Sequence, residues 1–553
     1  MKYSIGIDLG TTHCTMAAAP LEGGALEQIP LEQWIGAGLR GESSLLPSLL
    51  YFPPSEEQER WGGAFCMGRY VAERGAEQPD RVASSAKSWL CRAEAESRTL
   101  VEMSPVEVIA ELLRELRRQW DERHPEAPFG DQAIVVTVPA SFDPAARERV
   151  SRAAESIGYP EMTLMEEPQA AFYAWLERQG ERWREQLAVG DLILVVDIGG
   201  GTTDLSLIEV VEEGGELELE RIAVGDHLLL GGDNMDLALA HLAASRIGGL
   251  DEWQMKQLVH QARFGKERLL GADAPDELTL SIAGRGSGLI GGSLKTTVGR
   301  EEAERLLVDG FFPMVGRGER PIEGGRSGLR QSGLHYAADP RITAHLAKFL
   351  DRLPTKLLFN GGTMKAAALQ KRVVAQLRQW GADVELLPDS DLDCAVGRGA
   401  AHYGVMRAAG GVRIRGGTSH SYWVGVEEAM PAIPGLTPPM RAICVAPLGM
   451  EEGSESTLEG ERFSLVIGEP ALFRFFRAHR CGDVGEALRH WEEELEELPP
   501  IEATLEGSEE RVVEVAITAK ITELGSLELW CCSEDGSRWK FEFAIREREG
   551  AHC

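Results

Sequence analysis

Up to residue 409 the apolar positions follow two alternating rhythms, and beyond it they follow one. Compact apolar runs at Tyr3–Ile7, Ile134–Val138, Leu192–Val196 and Leu357–Phe359 read as buried strands. Between them lie segments of helical period. Pro105 to Gln119 places Val108, Ile109, Leu112, Leu113 and Leu116 on one face, and Pro144–Ser156 and Met235–Ser245 are further helices. Strands alternating with helices predict an α/β architecture over residues 1–409. A break follows at Ala408-Ala409-Gly410-Gly411, with a second glycine pair at Gly416-Gly417. The texture then changes to short alternating strands, at Phe463–Ile467, Leu472–Phe476, Val512–Ala519, Leu527–Trp530 and Trp539–Ile545. That pattern predicts a smaller all-β sandwich. It is interrupted by one acidic helix expected over Val484–Leu498, with Leu488, Trp491, Leu495 and Leu498 on one side. No internal repeat of solenoid period is present.

Two of the strands end in the same chemistry. Tyr3–Ile7 runs into Asp8-Leu9-Gly10-Thr11-Thr12, and Leu192–Val196 into Asp197-Ile198-Gly199-Gly200-Gly201-Thr202-Thr203-Asp204. An apolar strand ending in Asp, then Gly and Thr, then a second strand, makes a tight hairpin whose backbone amides form an anion-binding nest. Gly10 allows a turn that a side chain would obstruct. Thr11 and Thr12 bring hydroxyl and amide donors for phosphate oxygens. One such loop is an ordinary Asp-Gly hairpin. Two of them, the second with three consecutive glycines that weaken a strand, point to two lobes gripping one nucleotide. The carboxylates of Asp8 and Asp197 are placed to organise Mg²⁺ and its waters. Three further segments fit the same site: the strand-to-helix passage Ile134–Phe142; Glu166-Glu167-Pro168, where Glu167 either holds a metal-bound water or simply caps a Pro-started helix; and Phe359-Asn360-Gly361-Gly362-Thr363, suited to an adenosine lying against the backbone.

Composition narrows the field. At 553 residues the chain is too long for one core. A formal charge of −31 argues against nucleic acid and anionic membrane as partners. No apolar stretch has the length to span a bilayer, and no cleaved leader is visible. The nine cysteines are scattered without a Cys-x-x-Cys pair, which fits reduced thiols in the cytoplasm and no thiolate metal site.

Taken in order, the five segments resemble the ATPase domain of the 70-kDa heat-shock chaperone family (DnaK-type), within the actin and sugar-kinase superfamily. Gly225–Asp236, with Gly231-Gly232, resembles the glycine-pair segment that leads into the mobile subdomain of the second lobe, and Asp393–Ala401 resembles the segment closing the ATPase domain. The resemblance covers residues 3–405. It implies a two-lobed actin-like ATPase fold over 1–409, a linker at 410–417 and a β-sandwich substrate-binding-like domain over 418–553. Val512–Thr518 with Glu523–Leu529 resembles the last hairpin of that second domain. The helical lid that follows it in the family is then missing, which leaves a sandwich that binds extended peptide with fast exchange, or one that serves as a fixed module.

The resemblance also implies roles. ATP and Mg²⁺ are the expected ligands, with unfolded or extended polypeptide and a co-chaperone or exchange factor as partners. Asp8, Thr11, Glu167, Asp197 and Thr202 would carry hydrolysis, with Asp8, Asp197 and Glu167 holding Mg²⁺ mainly through water. Gly10, Thr11, Thr12, Gly199, Gly200, Gly201, Thr202 and Thr203 would take the phosphates. Gly231, Gly232, Lys266, Gly361, Gly362, Thr363, Lys365 and Asp393 would line the rest of the nucleotide site.

Three departures qualify this reading. The family's catalytic lysine, in a Gly-x-x-x-Lys segment, aligns with Ala72 in Met67–Ala72, with Pro79 seven residues on and Lys87 eight further. On that alignment no cation supports the attacking water, which costs about a hundred- to a thousandfold in rate, unless Arg69 one turn earlier reaches the same space. Arg263 replaces a family glutamate, and Lys365 replaces an arginine that stacks on adenine, a weaker partner for the base. The linker Val412–Gly417 is polar and basic where the family's is acidic and leucine-rich. Two readings follow: an ATP-binding chaperone-like protein with slow Mg-dependent hydrolysis, or a non-hydrolysing nucleotide-dependent scaffold that recruits a partner. The β-domain and the chaperone-type segments weigh against a third, a small-molecule kinase.

Overall fold

The computed structural model describes the chain apart from residues 93–94, 96, 141, 143, 161, 214, 226–227, 285–291, 323–335, 389–390, 410–413, 416–417, 419, 429–437, 449, 451–453, 459, 469, 479–481, 499, 505–510, 523–525, 534–535 and 545–553. Asp226, His227, Glu523–Gly525, Ile545 and most of the expected linker 410–417 therefore lie outside the described residues. The chain divides into two compact units, residues 1–219 with 223–413, and residues 220–222 with 414–553.

The first unit contains two sheets built to one plan. In the first, Tyr3–Leu9 pairs antiparallel with His13–Pro20 on one side and parallel with Ala133–Val138 on the other, and Met162–Glu166 extends the parallel side. In the second, Leu192–Ile198 pairs antiparallel with Thr203–Glu213 and parallel with Lys356–Asn360, which in turn pairs with Glu385–Leu386. Each central strand is thus a hairpin arm on one side and the middle of a parallel sheet on the other. The carboxyl ends of such strands are where open α/β sheets present ligand sites. Both expected hairpins form, with Asp8 opposite Thr15 and Asp197 opposite Asp204.

Helices cover the sheets as the apolar spacing predicts. Pro105–Arg123 begins at a capping box, Ser104 accepting from the Glu107 amide, and buries Val108, Ile109, Leu112, Leu113 and Leu116. The helix at Glu167–Gln179 starts with Pro168 in its first turn. It packs against Ala395–Ala409, and small residues set how close the two come. A Cβ on Gly399 would lie 1.6 Å from the Ala170 carbonyl oxygen, and one on Gly404 would lie 2.0 Å from Ser4 Oγ. The second helix therefore lies directly on the central strand.

The second unit is a sandwich of two antiparallel sheets. One has the order Ala487–Leu488, Met440–Ala446, Ser421–Glu427, Phe475–Ala478, Glu496–Glu497; the other is built on Arg511–Ile521, Ser526–Ser533 and Arg538–Ala544, with Glu455–Thr457 and Phe463–Ile467 pairing Arg511–Ile521. Tyr422, Val424, Ile443, Phe475, Val515, Ile517 and Leu529 face inward and form its core. Two expectations are corrected here. Leu472–Phe476 is not one strand: Pro470–Phe473 pairs with Ile501–Thr504, and Phe475–Ala478 belongs to the first sheet. The segment 484–498 is not a helix. It consists of two short edge strands around a single turn of 3₁₀ helix at Trp491–Glu493, because pairing with the sheet overrides its helical spacing. Among the described residues no helix is long and apolar enough to cross a membrane.

The helix contact gives a direct stability prediction. Gly399→Ala forces a methyl into the Ala170 carbonyl and should destabilise the protein by about 1–3 kcal/mol. Gly130→Ala, where a methyl meets nothing within 4 Å, should leave the thermal midpoint unchanged. Paired melting curves of the two variants check the difference.

Candidate functional site

The first phosphate loop is held from behind. Ser48 donates its amide to the Thr12 carbonyl at 2.9 Å and its hydroxyl to the Gly10 carbonyl at 2.7 Å, with Cys14 Sγ 3.3 Å from the same hydroxyl. With those carbonyls engaged, the turn keeps its amides for a ligand. The second loop is tied in the same way. Gly199 O accepts from the Gly232 amide and the Thr363 hydroxyl, and Gly200 O accepts from the Asp233 amide. The two loops face each other closely: a Cβ on Gly200 would lie 2.1 Å from Thr12 Oγ1. Gly361, at φ 86°, has no room for a side chain, since its Cβ would lie 2.3 Å from the Ile198 carbonyl oxygen. These contacts explain why glycine occupies each position.

Three buried carboxylates, Glu167, Asp197 and Asp204, converge with the half-buried Asp8 where the strands end. Thr137 Oγ1 donates to Asp8, and Asn360 Nδ2 donates to Asp197 at 2.9 Å. A buried ammonium joins them. Lys87, 3 % exposed, forms an ion pair with Glu167, and the Asp8 charge acts on it as well. Burial pushes the Asp8 carboxyl up to about 7, with Glu167 adding to the rise and Lys87 opposing it. Burial also raises Glu167 and, well above the usual range, Asp197. For Lys87, burial works to lower the pKa, but the Glu167 and Asp8 carboxylates outweigh it and raise it. Next to this cluster, Arg147 is buried against Glu166 at 2.9 Å and donates to the Ala140 and Phe142 carbonyls.

The lysine corrects the sequence alignment. Ala72 lies within the helix Arg69–Glu77, and Arg69 is exposed. The cation comes instead from the four-residue helix Ala86–Trp89, entered through Ser85 in the left-handed region at φ 57°. That turn swings Lys87 inward, which spacing counted from Gly68 does not reveal.

Asp8, Glu167 and Asp197 reach a cleft of about 430 Å³, with Lys87 and Asp204 set back from its lining. Its walls include Asp8, Gly10, Thr11, Thr12, Glu167, Asp197, Gly199, Gly200 and Thr202. At the far end come Gly232, Lys266, Gly361, Gly362, Thr363, Lys365 and Asp393. Three expected residues stand back from it. Thr203 is fully buried and donates its hydroxyl to the Leu230 carbonyl at 2.7 Å. Gly201 lies against Thr11 and Ser88, and Gly231 against the Gly199 and Gly200 carbonyls. A larger groove of about 830 Å³, between 300–309 and 367–375, shares only Leu270 and Gly271 with the cleft and has no carboxylate–glycine constellation.

Beyond the residues expected there, Arg263, Asp233, Asp236 and His13 also line the cleft. Arg263 bridges Asp233 at 2.6 Å and Asp236 at 3.1 Å, while Lys266 pairs with Asp236 at 2.7 Å and donates to the Gly232 carbonyl. Lys365 pairs with Asp393 at 2.5 Å. His13, next along the chain from Thr12, feels both the Arg263 and Lys365 cations. Burial first, then Arg263, hold its imidazole down to about 4. A histidine directly after a Gly-Thr-Thr turn was the available signal.

The donor set suits a hard divalent cation. It consists of carboxylate, hydroxyl and amide oxygens, including the buried Asn360 Oδ1, which has no protein partner. Among the described residues no three carboxylate, imidazole or thiolate groups converge closely enough to ligate an ion directly. Mg²⁺ would therefore sit on water and phosphate oxygens, its usual habit.

His13 carries a pH signature. Its pKa falls from 6.5 to about 4 on folding, so its contribution to stability is present above pH 6.5 and is lost as pH falls toward 4. Between pH 7 and 5 this amounts to about 1–2 kcal/mol. His13→Gln should lose that much less stability over the same interval, read by urea denaturation at both pH values.

Comparison with known proteins agrees with this geometry. A family model described as Hsp70 protein matches residues 67–265, which contain Lys87, Glu167 and the second glycine loop. The chaperone protein HscA homolog of Acidithiobacillus ferrooxidans is 29% identical over 423 residues, covering 72% of this chain and 58% of that protein. The HscA homolog of Bordetella pertussis is 31% identical over 357 residues, or 60% and 50% of the two chains. That of Azotobacter vinelandii is 28% identical over 393 residues, or 64% and 55%. The chain thus spans between half and three-fifths of the length of these relatives. With two facing glycine-threonine loops and a buried lysine between them, the chain matches the Hsp70 protein family over residues 67–265 and is similar to HscA-type chaperones.

Proposed function

We propose that this protein is an ATP-binding chaperone with slow, Mg-dependent hydrolysis, coupled to the binding of unfolded or extended polypeptide. Residues 1–409 would act as the nucleotide-binding domain, 410–417 as a linker and 418–553 as the polypeptide-binding sandwich. The observation that carries the reading is the buried Lys87 ammonium, paired to Glu167 and close in charge to Asp8, where the two loops meet.

Phosphoryl transfer to water needs positioning and charge neutralisation more than covalent chemistry. Thr11, Thr12, Gly200 and Thr202 would offer amides and hydroxyls to the β- and γ-phosphates, while the Gly199 amide is engaged by the Thr202 carbonyl. Mg²⁺, when bound, would neutralise charge across those oxygens. Asp8, Asp197 and Glu167 would hold its waters, and Asn360 keeps the Asp197 carboxylate oriented. Lys87 would stabilise the attacking water and the γ-phosphate near Thr202, in a buried site where a fixed charge acts strongly. Gly232, Lys266, Gly361 to Thr363, Lys365 and Asp393 would hold the nucleoside. The scattered cysteines accord with a cytoplasmic setting.

A second reading, a nucleotide-dependent scaffold without turnover, rested on the absence of a lysine. Lys87 takes that ground away, and the basic sequence of the linker is what still favours it.

Lys87→Met should retain Mg-ATP binding and reduce single-turnover hydrolysis by about a hundred- to a thousandfold. Ala72→Lys should leave the rate unchanged. A Lys87→Met rate equal to wild type would refute the assignment of this lysine, and a wild-type rate at background would favour the scaffold.

A further inference from the structure

The first sheet of the β unit has an outer face as apolar as its inner one. Trp423 and Phe476 are fully buried there, beside Ala442 and Cys444, and none of them points into the sandwich core. The cover comes from one stretch of the chain itself, residues 482–498. It begins on one edge of the sheet, where Ala487 and Leu488 pair with Ile443 and Ala442, and Cys444 exchanges hydrogen bonds with Gly485 and Glu486 at 2.9 Å. It then crosses the face. A Cβ on Gly482 would lie 2.8 Å from the Trp423 ring, Trp491 packs on Phe476 at 4.5 Å between ring centroids, and Leu495 is buried beside them. It ends on the opposite edge, where Glu496 and Glu497 pair with Arg477 and Phe476. Side-chain ion pairs fasten that end: Arg474 to Glu497 by two bonds of 2.6 and 2.7 Å, and Arg477 to Glu496 at 2.9 Å. Arg474 also lies over the Trp491 ring at 5.0 Å.

Pairing with a free edge, filling apolar pockets with an aromatic and a leucine, and fixing register by charge are the ways in which an extended peptide binds a sheet. Here one internal segment does all three. Each of its ladders is two residues long, and its charge contacts are largely in solvent. Such elements open more readily than a sandwich core.

We propose that residues 482–498 are a displaceable strap, a resident pseudo-ligand on a docking surface for extended polypeptide. The fitting partner carries an aromatic residue and a leucine as anchors, with carboxylates following them. This rests on the proposal that the β unit binds polypeptide.

The test uses the full chain and a labelled synthetic peptide of residues 484–498, read by fluorescence anisotropy. Trp491→Ala with Leu495→Ala removes the internal anchors. That variant should bind the peptide about tenfold or more tighter than wild type does, and should not bind a peptide lacking the tryptophan. A second variant keeps Trp491 and Leu495 themselves: Arg474→Glu with Arg477→Glu repels the strap's end. It should bind a peptide carrying Glu496→Lys and Glu497→Lys, which wild type should not. If both variants have native near-ultraviolet circular dichroism and neither binds its peptide better than wild type, the proposal is overturned. Reduced, carboxymethylated α-lactalbumin is the separate client probe. Strap-peptide binding without client binding in any nucleotide state would support the displaceable strap and overturn the reading of the β unit as polypeptide-binding.

Discussion

The first unit depends on a single electrostatic arrangement. Glu167, Asp197 and Asp204 are buried beside the half-buried Asp8 where strands of the two sheets end, and the cation found among them is Lys87. Four carboxylates around one ammonium leave an excess of negative charge out of water. Burial accordingly drives the Asp8, Glu167 and Asp197 pKa values upward. A folded protein tolerates such a cluster when something else completes it. A bound Mg²⁺ would supply positive charge there, with Asp8, Glu167 and Asp197 holding its waters and the glycine-threonine loops taking the phosphates.

The rest of the unit positions that cluster. Each carboxylate stands at the end of a strand or the start of a helix that packs into the core, so its place is fixed by packing. The hairpins turn back at once through glycine, which brings the loops of the two sheets to within a side chain's width of each other. The 395–409 helix lies on Tyr3–Leu9 and His13–Pro20 through glycines and alanines, with Glu167–Gln179 across it. Ser48 and Thr363 serve the loops in the same way, by occupying carbonyls that would otherwise face a polyanion.

What the sequence made legible was whatever is local. Both Asp–Gly–Thr turns, the Pro-started helix after Glu167 and the capped helix at Pro105 depend on neighbouring residues, and each formed as read. Lys87 escaped because its position depends on a left-handed Ser85 and a helix of four residues, features without a periodic signal. The clue was a lone lysine between Ala86 and the apolar Trp89-Leu90. The 484–498 segment misled for the opposite reason. Leu488, Trp491, Leu495 and Leu498 have helical spacing, yet the two free edges and the apolar face of a sheet offered its backbone and side chains better partners than a helix would. Thr203 was read as a ligand from its place in the glycine loop, but its hydroxyl is consumed by the Leu230 carbonyl across the hairpin.

The central claim is that the carboxylate–lysine cluster and its two loops form a nucleotide–Mg²⁺ site. Isothermal titration calorimetry of ATP into the full chain, with and without Mg²⁺, tests it most directly. One saturable site per chain is expected, with an affinity that rises sharply with Mg²⁺ and falls in Asp197→Asn. Absence of binding under both conditions, or binding indifferent to Mg²⁺ and to Asp197, would contradict it.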